Sequence, residues 1–174
     1  YGQGASTITQ QLVKLTHLSG AKTLSRKAQE AFLALQLERR LSKDEILECY
    51  LNNVYFGKGA YGVGAAAKVY FDKTPAELSL SETALLAGII KAPSIYAPHI
   101  NPDKSVARRN HILDEMAECG MLTADEAAAA KNESLNLNPQ AAESRAYGWY
   151  MDAVLDEAAQ ALSLSADAVR SGGY

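Results

Sequence analysis

The chain has 174 residues, 48% of them hydrophobic and 21% charged, a balance that excludes a disordered or low-complexity segment. A chain this long buries enough surface to hold a core without staples. Lys and Arg number 17 against 20 Asp and Glu, and the net charge of −3 gives no argument for nucleic acid.

The elements read as helices joined by short turns. Ser6 to Leu15 carries Ile8, Leu12 and Leu15 at spacings of four and three, a modest helical stripe. Leu24 to Arg40 is a stronger helix, free of Gly and Pro and containing Ala28, Ala31, Phe32, Leu35 and Leu37. Leu41 to Asn53 opens on a Ser42–Glu45 capping box, and Ile46, Leu47, Tyr50, Leu51 and Val54 make one face. Gly57 to Gly64 is a loop, and Ala65 to Phe71 a short helix. Thr74-Pro75-Ala76-Glu77 starts another turn. Ser81 to Lys91 is an apolar helix ended by Pro93, and residues 93–102 form a Pro-rich loop. Asp103 to Cys119 is helical and stops at Gly120, and Thr123 caps Ala124 to Lys131. Residues 132–144 read as a linker or extended strip, Tyr147 to Leu162 as a helix, and Ala166 to Arg170 as a further turn. Strand signals are almost absent, so the predicted fold class is all-α.

Several chemistries are excluded or weakened. Cys49 and Cys119 stand alone, which rules out a zinc ribbon or a disulfide framework. His17, His99 and His111 show no metal-ligand spacing, and no run of 18 apolar residues exists to span a membrane. Gly57, Gly59 and Gly62 match G-x-G-x-x-G, but a dinucleotide fingerprint needs a preceding strand and a βαβ unit, and here a helix precedes. The loop therefore reads as structural.

Charge is unevenly spread. Residues 1–40 carry a net +4, residues 41–113 a net +1 and residues 114–174 a net −8. A basic start suits an anionic ligand, although solvated faces that merely differ would look the same. Within the first 40 residues, Thr7, Gln10, Gln11 and Lys14 share one helical face by spacing. Hydroxyls and amides near a helix start, followed by a cation, suit a phosphate or a sugar, and equally an N-capped helix with a polar solvent face. Arg26, Lys27 and Glu30 follow. Glu30 lies beside Ala31, Phe32, Leu33 and Ala34, where a carboxyl can have its protonation tuned for acid–base work. Arg26 and Glu30, four apart, also fit a plain surface ion pair.

GASTITQQLVK at 4–14, RKAQE at 26–30, KDEILECYLN at 43–52 and RRNHIL at 108–113 resemble four of the five motifs of the family 51 peptidoglycan glycosyltransferases. These are the glycan-polymerising domains of class A penicillin-binding proteins and of monofunctional transglycosylases. YFGKGAYGVGAAAKVYF at 55–71 and LLAGIIKAPSIYAP at 85–98 are similar to the family's intervening sequence.

The resemblance implies a mainly helical, lysozyme-like fold at the outer face of the cytoplasmic membrane. It implies joining of lipid II units into a growing glycan strand by inverting transfer, with undecaprenyl pyrophosphate as leaving group. On the matched motifs Glu30 is the second catalytic carboxylate, placed near the pyrophosphate. Ser6, Gln11, Lys14, Lys22 and Arg26 fall where the family contacts the donor's phosphates and sugars. Glu48 and Asn52 are expected to brace the site by hydrogen bonds, and Arg108 and Arg109 match a motif whose role is partly structural. The resemblance establishes no cofactor with certainty, and a divalent cation such as Mg²⁺ could bridge Glu30 and the pyrophosphate. The sequence itself shows no dedicated metal cage.

Some positions depart from the pattern. Position 22 is Lys where Arg is usual, which keeps the charge but loses the bidentate fork. Leu15 stands where Asn is common and Gly64 where Glu is common. The family's first motif, which supplies the principal Glu, would precede GASTITQQ and is not in this sequence, so the expectation is a chain that turns over poorly by itself. Membrane attachment is expected through an anchor outside this sequence. The expected organisation is a glycosyltransferase domain at 1–131 and a connector at 132–174 leading toward a transpeptidase domain. Two rivals remain on the residues. One is a non-catalytic module that binds lipid-linked or polymeric peptidoglycan and dispenses with Glu30. The other is a lysozyme-like hydrolase with Glu30 as acid, which needs a second carboxylate across a cleft.

Overall fold

The structure, a computed structural model, describes residues 6–17 and 24–138. Eight α-helices follow one another among these residues: α1 (Ile8–His17), α2 (Leu24–Glu38), α3 (Lys43–Asn53), α4 (Val63–Phe71), α5 (Leu80–Ile89), α6 (Pro93–Tyr96), α7 (Pro102–Glu118) and α8 (Ala124–Asn132). A single 3₁₀ turn, Pro75–Glu77, lies between α4 and α5. The only β pairing among the described residues is an isolated antiparallel bridge between Tyr55 and Tyr61. The class is all-α, as expected. The helices expected within 147–170 and the site residue Lys22 lie outside the described residues.

Local chemistry sets most boundaries. Ser42 and Glu45, Thr74 and Glu77, Ser79 and Glu82, and Thr123 and Glu126 each form a reciprocal capping box. A further reciprocal pair opens α1: Thr7 Oγ1 accepts from the Gln10 backbone N–H at 3.2 Å, and Gln10 Oε1 accepts from the Thr7 N–H at 3.3 Å. The stretch at 93–102, expected to be a loop, contains the single turn α6, because Pro93 at its first position is already shaped for a helix.

The glycine loop is a tight connector between α3 and α4. Gly62 has φ +85°, and a Cβ there would lie 2.6 Å from the Asn52 carbonyl oxygen, so the position admits no larger residue without a shift. Gly57 has φ +90° and a Cβ would meet Tyr70 Oη at 3.0 Å. With a helix before it and a helix after it, this loop has none of the setting of a dinucleotide site.

The main core gathers Leu12 from α1, Ile46 and Tyr50 from α3, Ala66, Tyr70 and Phe71 from α4, and Leu85, Leu86 and Ile89 from α5. Phe56 is 1% exposed and anchors the glycine loop beneath them, where its carbonyl accepts from Tyr70 Oη at 2.9 Å. Gly88 lets α5 and α7 approach closely, since a Cβ there would fall 2.9 Å from Arg108 Cγ. After α8 the chain runs back across the core. Leu135 and Leu137 pack against it, and the Asn138 N–H donates to the Tyr70 carbonyl at 2.8 Å.

Helix α2 departs from its apolar pattern. Its buried residues are Glu30 and Ala34, whereas Leu24, Phe32 and Leu35 are 91%, 62% and 58% exposed. Leu24, Ala28, Phe32 and Leu35 recur at spacings of four, four and three, so they form one exposed stripe. The face turned to the protein is instead the one that carries the charged residues of the matched motif.

Candidate active site

Glu30 is the centre of the site. It is 3% exposed, and Lys27 Nζ donates to its Oε2 at 2.9 Å while Arg26 stands 3.6 Å from Oε1. The same Lys27 ammonium donates to Ser6 Oγ at 2.9 Å. One lysine therefore ties Ser6, two residues before α1, to the carboxylate on α2, and its bond to Ser6 crosses 21 positions of sequence. Oε1 of Glu30 is buried and accepts no hydrogen bond among the described residues.

The electrostatics give the tuning of Glu30 a direction. The hydrogen bond from Lys27 holds the Glu30 carboxyl below the usual carboxylate range. Burial pushes the other way and loses, while the charges of Lys27, Arg26 and Lys14 add to the lowering. Glu30 is thus an anion at neutral pH. Lys14, exposed on α1, belongs to the site through this field.

The other matched residues divide. Gln11 donates from Nε2 to the Ser6 carbonyl at 3.4 Å and accepts from Tyr50 Oη at 3.1 Å. Tyr50 is buried on α3, and burial raises its phenol above the ordinary value, which keeps it a neutral donor. It joins the third of the matched blocks to the first. Glu48 and Asn52 were the expected braces. Both side chains are exposed and make no hydrogen bond among the described residues. On α3 the inward positions are Ile46 and Tyr50, four apart, and Glu48 lies midway between them on the opposite face. Thr7 and Gln10 are spent on the cap of α1 and do not form a ligand face.

The two arginines of the last matched block lie away from these groups in role. Arg109 is 3% exposed and donates to Ser81 Oγ at 3.0 Å, to the Glu133 carbonyl at 3.0 Å and to the Lys131 carbonyl at 2.7 Å. It caps the C-terminal end of α8 and fastens it to α5. Arg108 lays its guanidinium 5.9 Å from the Tyr96 ring centre.

Lys27 is the member of the Glu30 cluster that spacing arguments passed over in favour of Arg26. Its i,i+3 relation to Glu30 was as strong a signal as the i,i+4 relation of Arg26. Its bond to Ser6 had no signal in the sequence. Around Glu30 the near charges are cations, and no group of three or more His, Cys, Asp or Glu gathers among the described residues. That donor set fits an anion and not a resident divalent cation. A cleft of about 580 Å³ opens elsewhere, between α1, α2 and α3, with Ile8, Leu41, Ile46 and Leu47 in its walls and no candidate site residue among them.

Residues 1–117 match the Transglycosylase family. The chain is similar to penicillin-binding protein 1F of Bacillus subtilis (strain 168), 44% identical over 173 residues, which are 99% of this chain and 24% of that protein. It is 51% identical over 141 residues to penicillin-binding protein 1A of Escherichia coli (strain K12), covering 81% of this chain and 17% of the relative. Among solved structures, the crystal structure of penicillin-binding protein 1A from Haemophilus influenzae superposes with a TM-score of 0.54 at 32% identity. That match covers 78% of this chain and 17% of the other. The chain thus spans a quarter or less of the length of the relatives it matches.

Proposed function

The chain belongs to the transglycosylase family, and from that premise we propose that it is a peptidoglycan glycosyltransferase region that polymerises lipid II. The observation that carries the reading is the cluster of Ser6, Lys27, Arg26 and Glu30, with Lys14 close enough to act on it. Cations fixed beside a buried carboxylate suit a leaving diphosphate, because preorganised charge stabilises the negative charge that develops as the bond to the sugar breaks. Arg26 offers a planar fork and Lys27 a compact point charge, a mixed pair suited to adjacent phosphates. Gln11, held by Tyr50, is placed beside Ser6 as a polar wall for the donor.

On this reading the donor is lipid II, the acceptor a growing glycan strand, and the product a longer strand with loss of undecaprenyl pyrophosphate. The reaction takes place at the outer face of the cytoplasmic membrane, in a longer protein that also carries a transpeptidase domain. The glycosyltransferase unit ends near residue 131 and the connector follows. Among the described residues no helix is long and apolar enough to cross a membrane, so attachment falls to other segments.

The test is polymerisation of lipid II by a chimaera in which residues 1–131 replace the matching segment of the Escherichia coli relative. The expected result is glycan synthesis that falls by about 10²–10⁴-fold with Glu30→Gln, the range typical of an acid–base group. Unchanged synthesis with Glu30→Gln would favour a non-catalytic binding module instead. Release of fragments from purified cell wall without synthesis would favour a hydrolase.

A further inference from the structure

The site already holds an anion of its own. Lys27 Nζ is shared between Ser6 Oγ and Glu30 Oε2, both at 2.9 Å, and Arg26 lies 3.6 Å from the second carboxylate oxygen. That second oxygen is buried without a hydrogen-bond donor among the described residues. Glu30 is therefore strongly held at one oxygen and poorly satisfied at the other, an arrangement that costs free energy for as long as the carboxylate stays charged. A diphosphate presents several acceptor oxygens of higher charge to the same two cations. Placed beside Lys27 with Glu30 still charged, it would set two anions against each other across one ammonium.

We propose that Glu30 is a placeholder anion: it occupies Lys27 and Arg26 in the ligand-free chain, and an arriving diphosphate displaces it from Lys27. This rests on the diphosphate-binding reading above and adds to it an exchange of partners. The displaced carboxyl stays on a buried face of α2 but has lost the hydrogen bond that kept it ionised. It then takes up a proton from solvent. Ligand binding itself thereby turns Glu30 from a fixed counter-charge into a group that can hold a proton next to the leaving phosphate. Ser6 accepts from Lys27 and keeps its own hydroxyl proton, so it can donate to a phosphate oxygen as the exchange takes place. Lys27 acts here as a positioning residue for Glu30, and the exchange explains why a buried acid in this cluster is paired with a lysine on a flexible stem rather than locked by backbone donors.

The experiment is titration of the 174-residue chain with inorganic pyrophosphate, in wild type, Glu30→Gln, Lys27→Ala and the double variant. Removing the internal competitor should tighten pyrophosphate binding about 5- to 20-fold in the Lys27 background, as expected of two ligands competing for one site. With Lys27→Ala in place, the same Glu30→Gln change should yield less than about a 2-fold gain. An equal gain in both backgrounds overturns the exchange and leaves simple charge repulsion, with the diphosphate site intact. Absence of binding in wild type and in Glu30→Gln overturns the site as well. A measurement on unaltered protein covers the case in which Glu30→Gln does not fold. The ¹³C signal of the Glu30 carboxyl, followed by pH titration with and without saturating pyrophosphate, should move its midpoint upward together with a shift of the Lys27 ammonium signal. A Lys27 signal that does not move while Glu30 does overturns the proposal.

Discussion

Lys27 fixes the ionisation of Glu30, and this makes the site's stability depend on pH. The carboxyl titrates below its ordinary value of 4.5 in the folded chain, so the unfolded chain binds the proton more readily. The contribution of the pair is fully present above the ordinary carboxylate range and is lost as pH falls through the lowered folded value. Thermal melts of wild type and Lys27→Ala should therefore differ most near neutral pH, with the gap narrowing on acidification. A gap that stays constant from about pH 7 to about pH 3 would show that Lys27 contributes through Ser6 or packing instead of through Glu30. The residues of this site were legible in part. Glu30, Arg26, Ser6 and Gln11 stand in recognisable blocks, but the sense of the pKa shift was not, because it turns on one hydrogen bond winning over burial.

At the scale of the element, capping boxes and glycines carry most of the specification. Each box satisfies backbone donors that a helix start leaves open, which is why the starts of α3, α5 and α8 fall close to where the sequence places them. Gly62 is the stricter constraint. Its positive φ and the Asn52 carbonyl 2.6 Å from a would-be Cβ act together, so Gly62→Ala should cost about 2–4 kcal/mol. Gly59→Ala tests the separation of the two effects. It has φ +72° but open space, and should cost only about 1–2 kcal/mol. Equal losses in denaturant melts would mean that the carbonyl contact is relieved by a small shift of α3. Helix α2 is the element the pattern misjudged. Phe32 and Leu35, among the apolar residues that mark the helix in the sequence, are exposed, while Glu30 is buried. Periodicity gives the helix, but it cannot say which face meets the protein when that face is chosen by Ala34 and a paired carboxylate.

For the whole molecule, Arg109 is the tie that closes the second half. Its guanidinium donates to two carbonyls at the end of α8 and to the buried Ser81 hydroxyl of α5. Arg109→Ala leaves those acceptors without donors and should cost about 2–4 kcal/mol in denaturant unfolding. Arg109→Lys should recover less than half of that, because one ammonium cannot serve three acceptors laid out for a fork. Full recovery by Lys would show that charge alone, not geometry, holds α8. The return of Leu135, Leu137 and Asn138 across α4 depends on the same tie, since they follow directly from the carbonyls that Arg109 holds.

The amino-acid sequence by itself determined the helical class, the capped starts of α3 and α8, the tight glycine connector and the motif blocks that hold the charged residues. All of these rest on interactions within a few positions along the chain, which spacing can express. Only the tertiary structure decided that α2 buries its acid and exposes its phenylalanine, that Lys27 joins Ser6 to Glu30, that Tyr50 rather than Glu48 or Asn52 steadies Gln11, and that Arg109 fastens α8. Those contacts span 21, 39 and 22 to 28 positions at Lys27–Ser6, Tyr50–Gln11 and Arg109 respectively. They form only when packed helices bring the partners together, and packing is what turns a run of five residues, Arg26 to Glu30, from a surface ion pair into a charged site built around a buried carboxylate.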